Sequence, residues 1–446
     1  MRVHSIERTT GRDGIEWSGR ISFADQERTV RFGGPAELVS NADATPFLAA
    51  ALLPAMAWGQ DLHVDGPVSG AVVAKVPTIA RLLASMDPAL RVPEVSVAEE
   101  AEEPWPTGDG GVACMFSRGV DSTYSASVPR VDPAPLDALV YCRTLEPNHD
   151  EATAAAELEA TRRAAEVVGL PLHAVWTDLR EFTDPMFGWS AMHGAGLAAL
   201  ALLVRQRFDH VVLPSAYDLE SLAPAGSHPA IDPLWSSPST RIHHDHLDRG
   251  RHAKVAWLAA ERPDLLPHLK VCYQHSTQTN CGQCHKCGLT MSSLRAEGVL
   301  GLATLFPAEL DLEVVRRQRV VGPGSRGLWV PIARRAREVG DDELADALED
   351  MLRLSAVPTL RELLSSRSKV AEQAFRTLAG PPRFEPYDPE RATTFERFDR
   401  AYTDARLSLI RHGEVRPLGT PPPPGLRAST VVASLAASIR HRRRRR

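Results

Sequence analysis

The chain has 446 residues, more than one hydrophobic core usually supports, so we expect two or three domains. Hydrophobic residues make up 43% of the chain and charged residues 24%, as in globular proteins. The longest apolar runs, 47–58 and 196–204, are too short to cross a bilayer, which excludes a membrane span. The polar start lacks the pattern of a signal peptide, and we therefore expect a cytoplasmic location.

The net charge of −5 is unevenly distributed along the sequence. Arg440 and the five arginines at 442–446 end the chain, so the remainder is more acidic than the total suggests. Contact with nucleic acid or anionic lipid through charge is therefore expected only at this tail. A proline run at 421–424 precedes the arginines, and residues 416–446 are predicted to be a disordered Pro/Arg-rich tail.

Residues 1–100 are predicted to form a separate α+β module. Strand-like pieces within 21–32 are followed by helix candidates at 46–58 and 75–86. This module shows no catalytic spacing, and the acidic, proline-bearing stretch 98–110 is predicted to be a linker.

From residue 111 onwards strands alternate with helices. This alternation predicts an α/β fold with a parallel sheet covered by helices on both faces, and ligands in such sheets bind beyond the carboxyl ends of the strands. Residues 218–251 are predicted to be a long functional loop, and residues 296–415 a helical C-terminal region. The strand candidates are 111–116, 136–142, 170–176 and 208–214, and the helix candidates are 150–168, 193–205 and 252–267.

A polar heptapeptide, residues 116–122 (FSRGVDS), directly follows the first of these strands and leads into a helix. Amides at such a junction point towards an anion, and the helix dipole favours negative charge there. Ser117 and Ser122 add hydroxyl donors, and Gly119 lets the backbone approach a phosphate closely. Asp121 can hold Mg²⁺ or orient the loop. The sequence predicts a phosphate-binding loop, with an ordinary strand-to-helix turn as the alternative.

Four of the six cysteines fall within sixteen residues, in the pattern Cys-x8-Cys-x2-Cys-x2-Cys. Four thiolates at this spacing suit tetrahedral zinc, and a site with four protein ligands leaves no open position for chemistry. A structural zinc site is therefore predicted, with an iron–sulfur cluster or four reduced thiols as alternatives. The predicted ligands are Cys272, Cys281, Cys284 and Cys287, whereas Cys114 and Cys142 lie in apolar strand candidates.

The heptapeptide resembles the Ser-Gly-Gly-x-Asp-Ser/Thr signature of the PP-loop, or N-type, ATP pyrophosphatases. The resemblance implies an adenine nucleotide alpha-hydrolase-like fold that binds the phosphates of ATP with Mg²⁺. The first glycine of the signature is replaced by Arg118, which costs roughly 1–2 kcal/mol if the position needs positive φ. Alternatively, the guanidinium adds a phosphate donor. The implied ATP-binding residues are Ser117, Arg118, Gly119, Val120, Asp121 and Ser122.

Together with the cysteine pattern about 150 residues later, the loop resembles the 7-cyano-7-deazaguanine synthase family over residues 111–295. The resemblance implies a structural zinc and an ATP-dependent C–N bond-forming ligase. Such an enzyme adenylates a carboxylate, releases pyrophosphate, and lets ammonia or another amine attack to form an amide or nitrile. Residues 218–251 show no convincing counterpart of the family's deazapurine-binding residues, so the acid remains unidentified.

Adenylation needs cations for the leaving phosphate. We predict Arg249, Arg251 and Lys254 for this role, and the predicted catalytic set is Asp121, Lys254 and Arg249. The alternative for Lys254 is an exposed helix position.

Three further features lie near the expected site. Arg143 follows the second strand and is predicted near adenine or ribose. His193 opens a helix, where ligand contact and core packing are equal alternatives. The run 243–246 (HHDH) suggests a second metal site, against the alternative of a polar loop without a role.

Two other functions are compatible with the sequence. A tRNA thiolation-type enzyme needs a relay cysteine and a tRNA-binding surface, and the acidic body argues against that surface. The other possibility is a nucleotide-binding protein without catalytic activity. Only the replacement of the first signature glycine by Arg118 favours it. The sequence also leaves open whether two chains form a homodimer.

Overall fold

The structure is a computed structural model that describes residues 1–355, except 12–13, 40–42, 88, 104–109, 144, 146–150, 187, 274–277, 319 and 321. The predicted tail, 416–446, and the predicted helical region beyond residue 355 lie outside the described residues. None of the described helices has the length and apolar character needed to cross a membrane.

Ten strands form one sheet, which gives the described part of the chain an α/β architecture. The strands are β1 (Arg2–Gly11), β2 (Gly14–Phe23), β3 (Gln26–Gly34), β4 (Leu62–Ser69), β5 (Val95–Ala101), β6 (Val112–Met115), β7 (Ala138–Cys142), β8 (Leu172–Thr177), β9 (His210–Pro214) and β10 (Arg241–Asp245). Their order is β10-β9-β6-β7-β8-β3-β2-β1-β4-β5. Among these strands only the pairings of β8 with β3, β3 with β2 and β2 with β1 are antiparallel.

Helices cover this sheet and continue beyond it. They are α1 (Ala36–Val39), α2 (Thr45–Trp58), α3 (Gly70–Val73), α4 (Val76–Met86), α5 (Val120–Ser127), α6 (Glu151–Val168), α7 (Leu179–Thr183), α8 (Trp189–Leu203), α9 (Arg251–Glu261), α10 (His285–Ala296), α11 (Leu312–Arg317), α12 (Gly322–Glu338) and α13 (Asp342–Ser355). Short 3₁₀ turns lie at Asp232–Trp235, Pro263–His268 and Leu300–Leu302. Helix α8 is apolar on nearly all sides, as expected for a buried helix, and it packs against α2.

The predicted parallel α/β sheet is confirmed from β6 onwards. β6 and β7 read as short continuous apolar runs because both of their faces are buried. β10, β9, β6, β7 and β8 run parallel, so their carboxyl ends lie along one edge of the sheet. This edge carries the loop after β6 and the segments after β9 and β10.

The N-terminal strands extend the same sheet. β3 pairs with β8 through Phe32 opposite Thr177 and Gly33 opposite Trp176. A Cβ at Gly33 would come within 2.3 Å of the Trp176 ring, so only glycine allows this close approach. One hydrophobic core also runs through both parts. The first hundred residues, predicted as a separate module, therefore share a sheet and a core with the parallel unit.

The stretch 218–251, predicted as a loop, contains β10 and a 3₁₀ turn. β10 pairs in parallel with β9 over its whole length. The prediction was wrong here because the strand is polar (RIHHD), and its histidines and aspartate are satisfied by partners that sequence patterns do not show.

A second hydrophobic core is built from residues outside the strands of the sheet. It joins α5 and α9 to α10, α12 and α13, and it includes Cys272, Cys284 and Cys287. The cysteine-bearing segment thus lies between the parallel unit and the described C-terminal helices.

Candidate functional site

The predicted phosphate loop lies at the carboxyl end of β6, before the first turn of α5. Gly119 precedes the helix with φ −70°, and the amides of the first turn, which have no intrahelical partners, follow it. The Ser117 and Ser122 hydroxyl oxygens lie 3.2 Å apart. A Cβ added to Gly119 would lie 3.4 Å from Ser117 Oγ and 3.9 Å from Ser122 Oγ. These three residues line a cradle that a methyl group at position 119 would partly fill.

Arg118 has φ +60°, the left-handed conformation, where the PP-loop signature has glycine. The anticipated strain of roughly 1–2 kcal/mol is therefore present. Its guanidinium is buried against the Glu157 carboxylate, and Lys270 Nζ lies 3.9 Å from Glu157 Oε1. Burial lowers the pKa of Arg118, and the charge of Glu157 opposes this effect. The side chain thus anchors the loop to α6, whereas the alternative expectation made it a phosphate donor.

Asp121 lies in the first turn of α5 and faces two cations from the first turn of α9. Arg251 Nη1 is 3.1 Å from Asp121 Oδ2, and Lys254 Nζ is 3.7 Å from Asp121 Oδ1. Asp121 Oδ1 is buried and accepts no hydrogen bond from the described residues. A buried carboxylate oxygen without a donor fits a bound cation, and Mg²⁺ prefers such oxygens.

Lys254 is fully buried, so the alternative of an exposed helix position is wrong. Its ammonium donates to the Ser215 carbonyl oxygen at 2.6 Å and lies 5.8 Å from the centre of the Tyr124 ring. Burial lowers the Lys254 pKa, and the Asp121 carboxylate opposes this effect. Because Lys254 is buried, its charge would act on a bound anion more strongly than an exposed charge would.

For two further predicted site residues, the recorded contacts do not involve Asp121 or the loop. Arg249 is exposed, and its Nε lies 3.6 Å from exposed Asp248. Arg143 follows β7 as expected, and its amide donates to the Val175 carbonyl at 2.8 Å within the sheet. Arg251, the remaining predicted arginine, is the one that the structure places beside Asp121.

The histidine-rich run 243–246 lies on and just after β10. His243 Nε2 is 2.8 Å from His210 Nδ1, whereas Asp245 binds the buried Arg130 guanidinium through two contacts of 2.8 Å. Neighbouring strand residues point to opposite faces of the sheet, so the run does not converge. In the described part of the chain no group of three or more metal-ligating side chains forms here, and the suggested second metal site is not supported.

His193 lies one turn into α8 and is half-buried. Its ring centre is 5.5 Å from that of Trp189. Burial lowers the pKa of His193 to about 4, and the Asp121 carboxylate is among the charges that act on it. His193 is therefore a neutral imidazole in the neighbourhood of the loop, and it also packs against α8's own tryptophan.

The four predicted metal ligands converge. Their Sγ atoms all lie within 4.8 Å of one another, and Cys281 Sγ is 3.8 Å from Cys287 Sγ. Tetrahedral Zn–S bonds of about 2.3 Å place the sulfurs roughly 3.8 Å apart, so the spacing fits such an ion. The cluster of Cys272, Cys281, Cys284 and Cys287 could therefore hold a metal ion such as zinc.

Backbone amides shape the turn from Cys281 to Cys287. Gly282 has φ +70°, and the amides of Gln283 and Cys284 point at Cys281 Sγ from 3.4 and 3.3 Å. The Cys287 amide donates to Cys284 Sγ at 3.4 Å, where Cys284 caps α10. Gly282 thus allows the turn in which these amides face the sulfurs, and the amides stabilise sulfur in its thiolate form.

Asn280, which the sequence patterns did not indicate, binds the segment that carries the first ligand. Its buried Oδ1 accepts from the amides of Val271 and Cys272 at 2.8 and 3.0 Å, and its Nδ2 donates to the Leu269 carbonyl at 2.9 Å. Its place next to Cys281 was the only available signal. Ser215 was also missed, although a polar residue directly after a parallel strand is a general signal for a site.

Comparisons with protein-family models, with curated proteins and with solved structures find no match to this chain.

Proposed function

We propose that this chain binds MgATP at residues 117–122 and adenylates a carboxylate, with release of pyrophosphate. The observation that carries the proposal is the placement of Asp121, Arg251 and Lys254 beside the cradle at the start of α5. Free amides, hydroxyls and buried cations together are the groups that bind polyphosphate. The location at the carboxyl ends of parallel strands supports the adenine nucleotide alpha-hydrolase-like fold.

In this proposal the charged residues have two tasks. Arg251 and Lys254 stabilise the charge that develops on pyrophosphate as the carboxylate oxygen attacks the α-phosphorus. Asp121 would hold Mg²⁺, which neutralises the phosphates of the bound nucleotide. Ammonia or another amine then attacks the acyl carbon and displaces AMP to give the amide. Where ammonia is the nucleophile, a second ATP adenylates the oxygen of the primary amide with release of pyrophosphate, and loss of AMP and a proton gives the nitrile.

We assign zinc to the cysteine cluster, in a structural role. The four thiolates would complete a tetrahedral site without an open position. Three of the cysteines belong to the second hydrophobic core, and the ion would tie the segment at Cys272 to the start of α10 within that core.

A sulfur-transfer variant of this chemistry has less support. All six cysteines lie in described residues, and four of them form the cluster. Cys114 and Cys142 are buried in β6 and β7, where a relay thiol would not be accessible.

Pyrophosphate release by the Asp121→Asn variant tests the proposal. The substitution keeps the side chain's shape but removes the charge that would hold Mg²⁺, so we expect a loss of about 100-fold or more with a carboxylate and ammonia present. Asp248→Asn, an exposed carboxylate beside Arg249, is the matched control and should retain wild-type turnover. Circular dichroism confirms that both variants fold. Wild-type turnover in a folded Asp121→Asn protein would refute the site assignment.

A further inference from the structure

A buried chain of hydrogen bonds begins at Asp232, in the 3₁₀ turn after β9. Asp232 is fully buried, and its Oδ2 lies 2.8 Å from His244 Nδ1 on β10. Ser227 Oγ donates to the same oxygen at 2.6 Å, and the His228 amide donates to Oδ1 at 3.2 Å. A carboxylate with this many donors is fixed in place, so it can hold the His244 ring in one orientation.

The ring in turn contacts Ser215, at the end of β9. His244 Nε2 lies 3.0 Å from Ser215 Oγ, which also donates to the Tyr217 carbonyl at 2.6 Å. The His244 ring therefore joins the Asp232 carboxylate, through Nδ1, to the Ser215 hydroxyl, through Nε2.

The chain ends at the phosphate site, because the Ser215 carbonyl accepts the Lys254 ammonium at 2.6 Å. A lysine ammonium sits on a flexible four-carbon stem with three rotatable donors, so its position depends on the acceptors around it. Lys254 Nζ has two anionic or carbonyl neighbours here, Asp121 at 3.7 Å and Ser215.

We propose that Asp232, His244 and Ser215 are positioning residues that hold the Lys254 ammonium beside Asp121. They act through Lys254 and are not assigned contacts with the nucleotide. This inference rests on the proposed function in one respect, namely that Lys254 binds the nucleotide. The hydrogen-bonded chain itself consists only of protein residues.

The Lys254 ammonium can be observed directly. The sequence has only five lysines, so ¹⁵N–¹H spectra of the lysine ammonium groups are simple, and Lys254→Ala assigns the signal. We expect His244→Leu to shift or broaden this signal beyond detection, and His244→Gln, which keeps an N–H donor, to restore it in part.

His243→Leu is the matched control, because His243 is adjacent on β10 but contacts His210. An unchanged Lys254 signal in folded His244→Leu would overturn the proposal. If that variant does not fold, Asp232→Asn takes its place: we expect the same change in the Lys254 signal, and an unchanged signal would again overturn the proposal.

MgATP titration gives the second readout through a double-mutant cycle. We expect His244→Leu to weaken MgATP binding about tenfold in the wild-type chain and to have no effect in Lys254→Ala, because both changes remove the same contact. Additive losses would show that His244 acts independently of Lys254 and would overturn the inference. Absence of MgATP binding to the wild-type chain would defeat the proposed function instead, while the ammonium spectra would still decide the positioning role.

Discussion

Arg118 has two opposing effects on the stability of the loop at residues 116–122. Its positive φ costs roughly 1–2 kcal/mol relative to glycine. Breaking a buried ion pair by removing one partner costs about 3–5 kcal/mol, because the other charge is left buried. Lys270, 3.9 Å from Glu157, offsets part of that loss.

We therefore predict that Arg118→Gly, which restores the residue of the PP-loop signature, destabilises the fold by about 2 kcal/mol. Adding Glu157→Gln should recover most of this loss, since no unpaired carboxylate remains. Urea unfolding of the two variants measures both effects. A stabilised Arg118→Gly protein would contradict the anchoring role of the Arg118–Glu157 pair.

His193 gives the fold a defined pH dependence. An unfolded histidine takes up its proton near pH 6.5, whereas burial lowers the pKa of His193 in the folded chain to about 4. The unfolded state therefore binds more protons between these values, and the stabilising contribution of His193 is complete above pH 6.5 and lost as the pH falls to about 4. The contribution reaches up to about 3 kcal/mol.

The variant His193→Gln should accordingly lose less stability than the wild type between pH 7 and pH 4.5. Free energies of unfolding in urea at the two pH values give the comparison. Identical pH dependence of the two proteins would show that the pKa of His193 is not lowered in the folded chain.

At the scale of elements, the cysteine cluster includes the residue that caps the start of α10. Cys284 caps the helix, and hydrogen bonding with Cys272 raises the pKa of the Cys284 thiol above its usual value. A bound divalent ion reverses this by taking the thiolate form, so binding releases protons and also stabilises the fold.

We predict one zinc ion per chain, and loss of this ion together with a lower melting temperature in Cys284→Ser. Gln283→Ala is the control, because Gln283 is exposed in the same turn and contributes only its backbone amide. Elemental analysis and thermal melts provide the two measurements. A metal-free wild-type protein with the same melting temperature as Cys284→Ser would argue against a structural metal.

The elements that could be predicted from sequence are those whose side chains follow hydrophobic patterns. β6, β7 and β9 appear as short apolar runs, and the spacing of the four cysteines along the sequence indicates a metal site. β10 could not be predicted, because Asp245 and His244 are buried through Arg130, Asp232 and Ser215, and such partnerships are made only by the folded chain. The sequence predicted that an arginine near residue 250 would act at this site. It did not show that Arg251, and not Arg249, contacts Asp121.

At the scale of the whole molecule, the sequence predicted that a linker at 98–110 separates the N-terminal strands from the parallel unit. In the structure, side-chain contacts also join these two parts. The Arg31 amide and guanidinium donate to Asp178 at 2.6 and 2.8 Å beside the β3–β8 pairing. Buried Arg205 binds Asp43 at 2.6 Å and lies 3.2 Å from Glu103. These contacts have no local sequence signature, because each joins residues that are far apart along the chain.

Calorimetric titration of MgATP into the wild type and Gly119→Ala tests the phosphate cradle most directly. At φ −70° alanine fits the backbone, and its Cβ meets protein atoms only at ordinary contact distances, so the fold should be unchanged. We predict one binding site per wild-type chain. In Gly119→Ala the methyl group would occupy space needed by the phosphates, so we expect an affinity at least about tenfold lower. The control Gly301→Ala should keep wild-type affinity, because its added Cβ has no atom within 4 Å. Equal MgATP affinity in the wild type and Gly119→Ala, or no binding by the wild type, would contradict the assignment of residues 117–122 to the phosphates of ATP.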